Sequence, residues 1–396
     1  LVISYGKGIY VYDTKGNKDL DGKSGLWNQC AGFDHPGLIE VAKKQYEKFA
    51  GYHSLFGRLS EETLQLSEKI IEVSPFDQGR VFFCNSGSEA NDTIVKMLWM
   101  LNARIGKPNR RKIITRINGY HGVTLGASSM TAKPYNKEFG LPSKEFIHTE
   151  CPHYWKYGLE NETEEEFSLR MAKNLEEKII KEDPETIAGF VAEPVQGAGG
   201  CIPPSKSYFD LIQPILKKYN IPFIADEVIC GFGRTGNLWG CETYNIKPDI
   251  IISSKCLTAG YFPMGAVIVN KEFSDKFVEV SEEAEEFPHG FTAGGHPVGC
   301  AIALKAIDVI MNEGLLDNVK LMEPYFFERL NEFNDYEHIG ETRGIGLMAA
   351  LEMVKNKDTK EPFEGHLNMG DKVANLSIDN GLICRPLGLS LIHISE

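Results

Sequence analysis

Lys255 follows the apolar run Ile250-Ile251-Ile252 and two serines. A lysine at the end of a buried strand delivers its ammonium to a crevice rather than to bulk water. Desolvation there favours the neutral amine, a nucleophile suited to Schiff-base formation with a carbonyl. Most lysines are simply solvated, so position rather than residue type singles this one out. Asp226 stands just after Ile221-Pro222-Phe223-Ile224-Ala225. A carboxylate in such a place can hold the protonated nitrogen of a pyridinium ring and keep it an electron sink. An ordinary loop-capping aspartate would occupy the same position. Glu193 follows Ala188–Ala192 in the same manner, and Gly197–Gly200 beyond it can approach a ligand closely.

Asn85-Ser86-Gly87-Ser88-Glu89-Ala90-Asn91-Asp92 runs from a short apolar stretch into an apolar helical pattern. The first amides of a helix lack internal acceptors, and small residues let a ligand come near them. Gly87 and Ser88 are therefore placed to bind a phosphate. The same letters also spell a plain N-cap by Ser86 or Ser88 with Glu89 in the first turn. Tyr120, after Lys112–Ile117, can stack on a flat ring or serve as a half-buried aromatic. Gly231-Phe232-Gly233-Arg234-Thr235-Gly236 matches the dinucleotide fingerprint in letters. No helical period follows it and no acidic residue closes a strand about 20 residues on, so it reads as a glycine-rich loop. His121, His289 and His296 stand apart from carboxylate or cysteine partners in sequence, and no metal site is expected.

Strands and helices must alternate to place these residues. β-branched and aromatic runs lie at Arg80–Cys84, Lys112–Ile117, Ile187–Ala192, Pro222–Ala225, Ile250–Ser253 and Ala266–Val269. Helix-period segments lie near Glu62–Val73, Glu89–Ile105, Glu164–Lys181 and Tyr208–Tyr219. This alternation predicts an α/β fold whose mostly parallel sheet carries helices on both faces, with ligands beyond the strands' carboxyl ends. Gly8–Asn17 reads as a β-hairpin. After Gly299 two long helical stretches, a strand at Ile345–Glu352 and a helix at Gly370–Asn380 predict a smaller α+β domain. The expected division is an N-terminal segment at 1–39, a large domain at 40–298 and a small domain at 299–388. The tail 389–396 reads as non-native.

The chain has 396 residues and a formal charge of -13, a sign that disfavours nucleic acid and anionic membranes as partners. Its acidic stretches, Glu160–Glu166 and Glu282–Glu286, read as solvated faces. Apolar runs are too short to cross a bilayer. Nine cysteines lack zinc-ligand spacing; Cys84, Cys230, Cys256 and Cys300 read as core residues of a protein in a reducing, cytoplasmic compartment.

Together, NSGSEAND (85–92), NGYHG (118–122), AEPVQGAGG (192–200), IADEVICGFGRTG (224–236), SSKCLTAG (253–260) and GFTAGGHP (290–297) resemble the class III aminotransferases. Those enzymes belong to the aspartate-aminotransferase-like fold type I of pyridoxal-phosphate proteins. The resemblance covers nearly the whole chain. It implies pyridoxal 5′-phosphate as cofactor, linked to Lys255 as a Schiff base, with Lys255 also the proton-moving base. It implies that Asp226 holds the ring nitrogen, Tyr120 and Val228 pack on the two ring faces, and Gly87 and Ser88 take the phosphate. Glu193 belongs to the same cofactor-binding set. Thr292 would reach the phosphate of a neighbouring subunit, which implies a homodimer or a dimer of dimers. Trp27 and Arg385 are most similar to the ω-amino-acid or amine:pyruvate branch and would bind substrate, with Arg385 gripping a carboxylate through two parallel bonds. The implied activity moves an amino group from an ω-amino acid or amine to pyruvate or another 2-oxo acid, through a pyridoxamine-phosphate form. An aminomutase, racemase or decarboxylase, or an inactive scaffold, would share most of these residues.

Overall fold

The apolar runs Ile187–Ala192, Phe223–Asp226 and Ile250–Ser253 are buried along their whole length, as expected of parallel strands covered on both faces. A computed structural model describes residues 2–387 and 390–394 and shows what covers them. The strands are β1 (Ile3–Lys7), β2 (Tyr10–Asp13), β3 (Lys18–Asp21), β4 (Gly79–Cys84), β5 (Lys112–Arg116), β6 (Phe146–Thr149) and β7 (Ile187–Ala192). They continue with β8 (Phe223–Asp226), β9 (Ile250–Ser253), β10 (Gly265–Asn270), β11 (Ile339–Ile345), β12 (Met348–Met353), β13 (Leu382–Ile383), β14 (Arg385–Leu387) and β15 (Ser390–Ile394).

The large sheet has the order β4-β10-β9-β8-β7-β5-β6. Its pairs are parallel except for β10, which runs antiparallel to β4 and to β9. Alternation along each strand feeds two cores. Ile224, Ile250, Ile252, Val267 and Val269 face the helix Gly87–Arg104 and the helix Lys271–Glu283. Phe223, Ala225, Ile251, Ala266 and Ile268 face the opposite core, formed with the helices Glu164–Lys181, Tyr208–Lys218 and Pro297–Asn312. The α/β architecture with helices on both faces is thus the observed one. Because Ile251 has no solvent exposure, truncating it to alanine would cost about 2–5 kcal/mol.

Two smaller sheets flank this body. β1, β2 and β3 form an antiparallel ribbon joined by β13, and β11-β12-β15-β14 is antiparallel throughout. The sequence stretch expected as one strand, Ile345–Glu352, instead spans a turn between β11 and β12. Gly346 there has φ 60, a left-handed conformation that glycine adopts without a Cβ penalty. β6 was not anticipated: Phe-Ile-His-Thr is short, and its burial is uneven. The 390–394 backbone, part of the segment read as non-native, pairs with both β12 and β14. Arg343 on β11 ties the small sheet to the large domain. It pairs with Glu341 and Glu352 at 2.8 Å each, and its Nε donates to the Gly200 carbonyl at 2.8 Å.

Candidate active site

The carboxyl ends of β4, β5, β7, β8 and β9 lie along one edge of the large sheet, because β4 is twice reversed relative to β9 through β10. Every residue singled out after those strands therefore opens toward one crevice.

At the end of β8, Asp226 is 2% exposed. Its Oδ1 accepts from the Val228 amide at 3.1 Å, and its Oδ2 accepts from His121 Nδ1 at 2.7 Å and Asn91 Nδ2 at 3.2 Å. An ionised carboxylate has acceptor sites only, so His121 must carry its proton on Nδ1 here. His121 is therefore not isolated, contrary to the sequence expectation; its carboxylate lies far away in the chain and arrives by folding. Asn91 also donates to the carbonyls of Gly87 and His121, at 3.2 and 2.9 Å. It stands one helical turn after Gly87, and that i, i+4 spacing is the signal that could have found it. His289 contacts Thr93 at 2.8 Å and Lys96 at 3.0 Å. Among the described residues no group of three or more histidine, cysteine or acidic side chains could hold a metal ion.

The two readings of the 85–92 stretch divide between neighbouring serines. Ser86 is the N-cap, its Oγ accepting from the Glu89 amide at 3.2 Å. Ser88 stands in the first turn, and its Oγ accepts from the Val123 amide at 3.1 Å. At Gly87 a Cβ would meet Val228 Cγ2 at 2.9 Å, so the close approach of the two segments requires glycine. An 18-residue helix thus presents its positive end and its first amides to the crevice.

Lys255 follows β9 in a left-handed conformation, φ 44. That geometry strains a residue with a Cβ by about 1–3 kcal/mol and is found at functional sites. The Oγ of Ser254 fixes the turn by donating to the Met264 carbonyl at 2.6 Å. Burial pushes the Lys255 ammonium below its ordinary range, while the negative charges of Asp226 and Glu193 oppose that shift. Glu193 is itself pushed up by burial, with His121 acting against the change. Both carboxyl oxygens of Glu193 are engaged internally: Oε1 accepts from the Tyr120 amide at 3.1 Å and Oε2 from the Gly197 amide at 3.0 Å. Its carbonyl accepts from Arg116. Glu193 therefore braces the segment carrying Tyr120 and the loop after β7.

A second cluster stands opposite. The Arg385 guanidinium carbon lies 4.6 Å from the centre of the Trp27 ring, a cation–π arrangement. Trp27 is buried at 4%, and Arg385 is half-buried. The charge of Arg385 acts on Lys255, on Lys133 and on Tyr135, and Tyr120 acts on Arg385. Lys133 caps the short 3-10 helix Pro134–Phe139, which carries Tyr135, and neither gave a signal in the sequence beyond its own polarity. Thr292 stands exposed on the loop before the helix Pro297–Asn312.

The crevice fits the cofactor that the sequence resemblance implies. It offers a buried, three-donor-held carboxylate for a ring nitrogen, a partly buried lysine, and a helix N-terminus with glycine where a side chain would intrude. The aminotransferase class-III family model matches residues 1–396. A PMP-bound aminotransferase crystal structure from Vibrio fluvialis is 62% identical with a TM-score of 0.98, covering 100% of this chain and 87% of that one. An ω-aminotransferase from Paracoccus denitrificans is 61% identical with a TM-score of 0.98, covering 100% and 88%. Gamma aminobutyrate transaminase 3, chloroplastic, of Solanum lycopersicum is 45% identical over 408 residues, 100% of this chain and 78% of the relative.

Proposed function

The chain belongs to the class III aminotransferases, pyridoxal-5′-phosphate-dependent transaminases, and from that premise we propose that it transfers the amino group of an ω-amino acid or amine to pyruvate or another 2-oxo acid. One observation carries the substrate half of this reading. Arg385 is half-buried, stacked on Trp27 and close enough for its charge to act on Lys255. Among the described residues no carboxylate forms an ion pair with it. A guanidinium so placed supplies a fork for the carboxylate of a 2-oxo acid near the reacting amine.

The cofactor, when bound, supplies the electron sink. Lys255 would hold it covalently and, as a free amine, would move a proton at the substrate carbon bearing nitrogen. Asp226, pinned by His121 and Asn91, would accept from the ring nitrogen. Gly87 and Ser88 would hold the phosphate at the helix N-terminus, while Tyr120 and Val228 would confine the ring. Glu193 acts by positioning Tyr120. Trp27 and Arg385 sort substrates. The pushed-down Lys255 supports the role of a base, since a neutral amine is the form that accepts a proton.

4-Aminobutyrate is a donor to test first among amino acids, because the tomato relative is named for it. We place the active site at the interface of a homodimer, or of a dimer of dimers. Val123 and Leu125, beside the Ser88 contact, are 71% and 76% exposed, and Phe56 is 80% exposed. Apolar surface next to a phosphate cradle supports a covering subunit whose Thr292 completes it. All nine cysteines carry thiols, which supports a reducing, cytoplasmic location. No helix among the described residues is long and apolar enough to cross a membrane.

The test is amine-dependent formation of alanine from pyruvate by the cofactor-loaded protein, with 1-phenylethylamine, β-alanine and 4-aminobutyrate as donors. Alanine with at least one donor is expected. Decarboxylated or isomerised donor without alanine would instead point to another reaction on the same fold.

A further inference from the structure

Burial raises the thiols of Cys84, Cys201 and Cys300 to about 12 and that of Cys151 to about 11, so these are inert core residues. Cys256, one residue after Lys255, departs from them. The Cys30 thiol hydrogen-bonded to it, together with the buried Arg234 guanidinium and Lys255, draws its thiol down to about 6 against the effect of burial.

The geometry explains why. Cys30 Sγ lies 3.9 Å from the Cys256 carbonyl, and Cys256 Sγ lies 3.6 Å from the Trp27 carbonyl. The segment bearing Trp27 therefore crosses directly over the turn bearing Lys255, with one thiol on each side. Arg234 is fixed there by donating to Ser24 Oγ at 2.8 Å. Cys30 is half-buried and borders a cavity lined by Phe232, Arg234, Ile310, Leu316 and Leu347. Through that cavity a small neutral oxidant can reach Cys30, beside which Cys256 lies buried. Both crossing segments already hold left-handed residues, Ser24 (φ 52) and Trp27 (φ 61) on one side and Lys255 (φ 44) and Ala259 (φ 49) on the other.

We propose that Cys30 and Cys256 are a redox-modification site at which a peroxide closes a disulfide between the Trp27 segment and the Lys255 turn. The Cys256 thiolate attacks the peroxide, its sulfur takes one oxygen, and hydroxide leaves to become water. The Cys30 sulfur then attacks the sulfenic sulfur; the S–S bond forms, and the Cys30 proton leaves with that oxygen as a second water. Two thiols lose two electrons in all, and the peroxide gains them. A disulfide requires sulfurs about 2.05 Å apart, nearer than hydrogen-bonded thiols. Closure therefore draws the two segments together and displaces Trp27 relative to Lys255.

The experiment treats the full-length, cofactor-loaded protein with hydrogen peroxide, then blocks free thiols and maps peptides without reduction. A Cys30–Cys256 linked peptide is expected while the other seven cysteines remain alkylatable. Turnover is expected to fall at least about tenfold, since displacement near 1 Å suffices for that, and dithiothreitol should restore it. Cys30→Ala should keep the basal rate and lose the reversible inhibition, with Cys256 over-oxidised instead. If peroxide yields no Cys30–Cys256 peptide from folded protein, or if Cys30→Ala shows the same reversible inhibition, the proposal fails. The peptide map of the wild-type chain decides the matter even if a variant does not fold.

Discussion

The crevice has two sides built on different principles. On the Asp226 side the two carboxylates are enclosed and partnered within the chain: Asp226 by His121, Asn91 and Val228, and Glu193 by Tyr120 and Gly197. On the Arg385 side Trp27 is buried, Arg385 and Lys133 are half-buried and Tyr135 is exposed, and they meet through charge and ring contact. Buried carboxylates held by several donors keep one geometry, because movement would leave an acceptor without its partner. A stacked, flexible arginine can take more than one position at small cost. The first side suits chemistry common to all substrates, and the second suits choosing among them.

Substitutions on the two sides should therefore differ in kind. Asp226→Asn is expected to have the largest effect, a loss of about 10³-fold in kcat for all donors and acceptors alike, as removal of a preorganised charge at a reacting group does. Rates measured at saturating cofactor with three donors check this; a loss confined to one donor would break the comparison.

Glu227, next to Asp226, sharpens the enclosed side through pH. Burial pushes its carboxyl up to about 7 from an ordinary 4.5, although the amides of Gly240 and Cys241 donate to it at 2.9 and 2.6 Å. The folded state then binds a proton that the unfolded state releases between those values. Stability from this group is fully present below pH 4.5 and is lost as pH rises through about 7, a change of up to about 3 kcal/mol. Glu227→Gln should remove that slope, which melting temperatures at pH 5.5 and 8 of both proteins would show.

Arg385→Leu should weaken pyruvate about 10–100-fold in kcat/KM, the worth of a charge-assisted bidentate contact, and leave uncharged amines nearly untouched. Equal losses for both substrate types would contradict the assignment of selectivity to this side. The smallest effect concerns the helix Gly87–Arg104, whose N-terminus is proposed to take the phosphate. Ser86→Ala removes its cap and should cost about 1 kcal/mol in urea unfolding, with little change in rate.

The enclosed side was also the more legible in sequence. Lys255, Asp226, Glu193 and Tyr120 each follow an apolar strand, and the rule that ligands bind beyond carboxyl ends finds such residues. What local reading could not supply was pairing across the chain. His121 seemed solitary because Asp226 lies 105 positions away. Of the two amides that partner Glu193, that of Tyr120 likewise comes from another segment of the chain. Lys133 and Tyr135 left no periodic trace, since the 3-10 helix Pro134–Phe139 that places them is too short to show a period. In the fold, β7, β8 and β9 were evident from unbroken apolar runs, whereas β6 and the β11–β12 turn were hidden by shortness and by a glycine pair.

The central claim is that Lys255 is the covalent anchor of the cofactor. The direct measurement is borohydride reduction of the pyridoxal-phosphate-loaded protein, followed by tandem mass spectrometry of its peptides. The modification is predicted on Lys255, in the peptide containing Ser253–Gly260. A tag on Lys133 or any other lysine, or none in folded and loaded protein, would contradict the account.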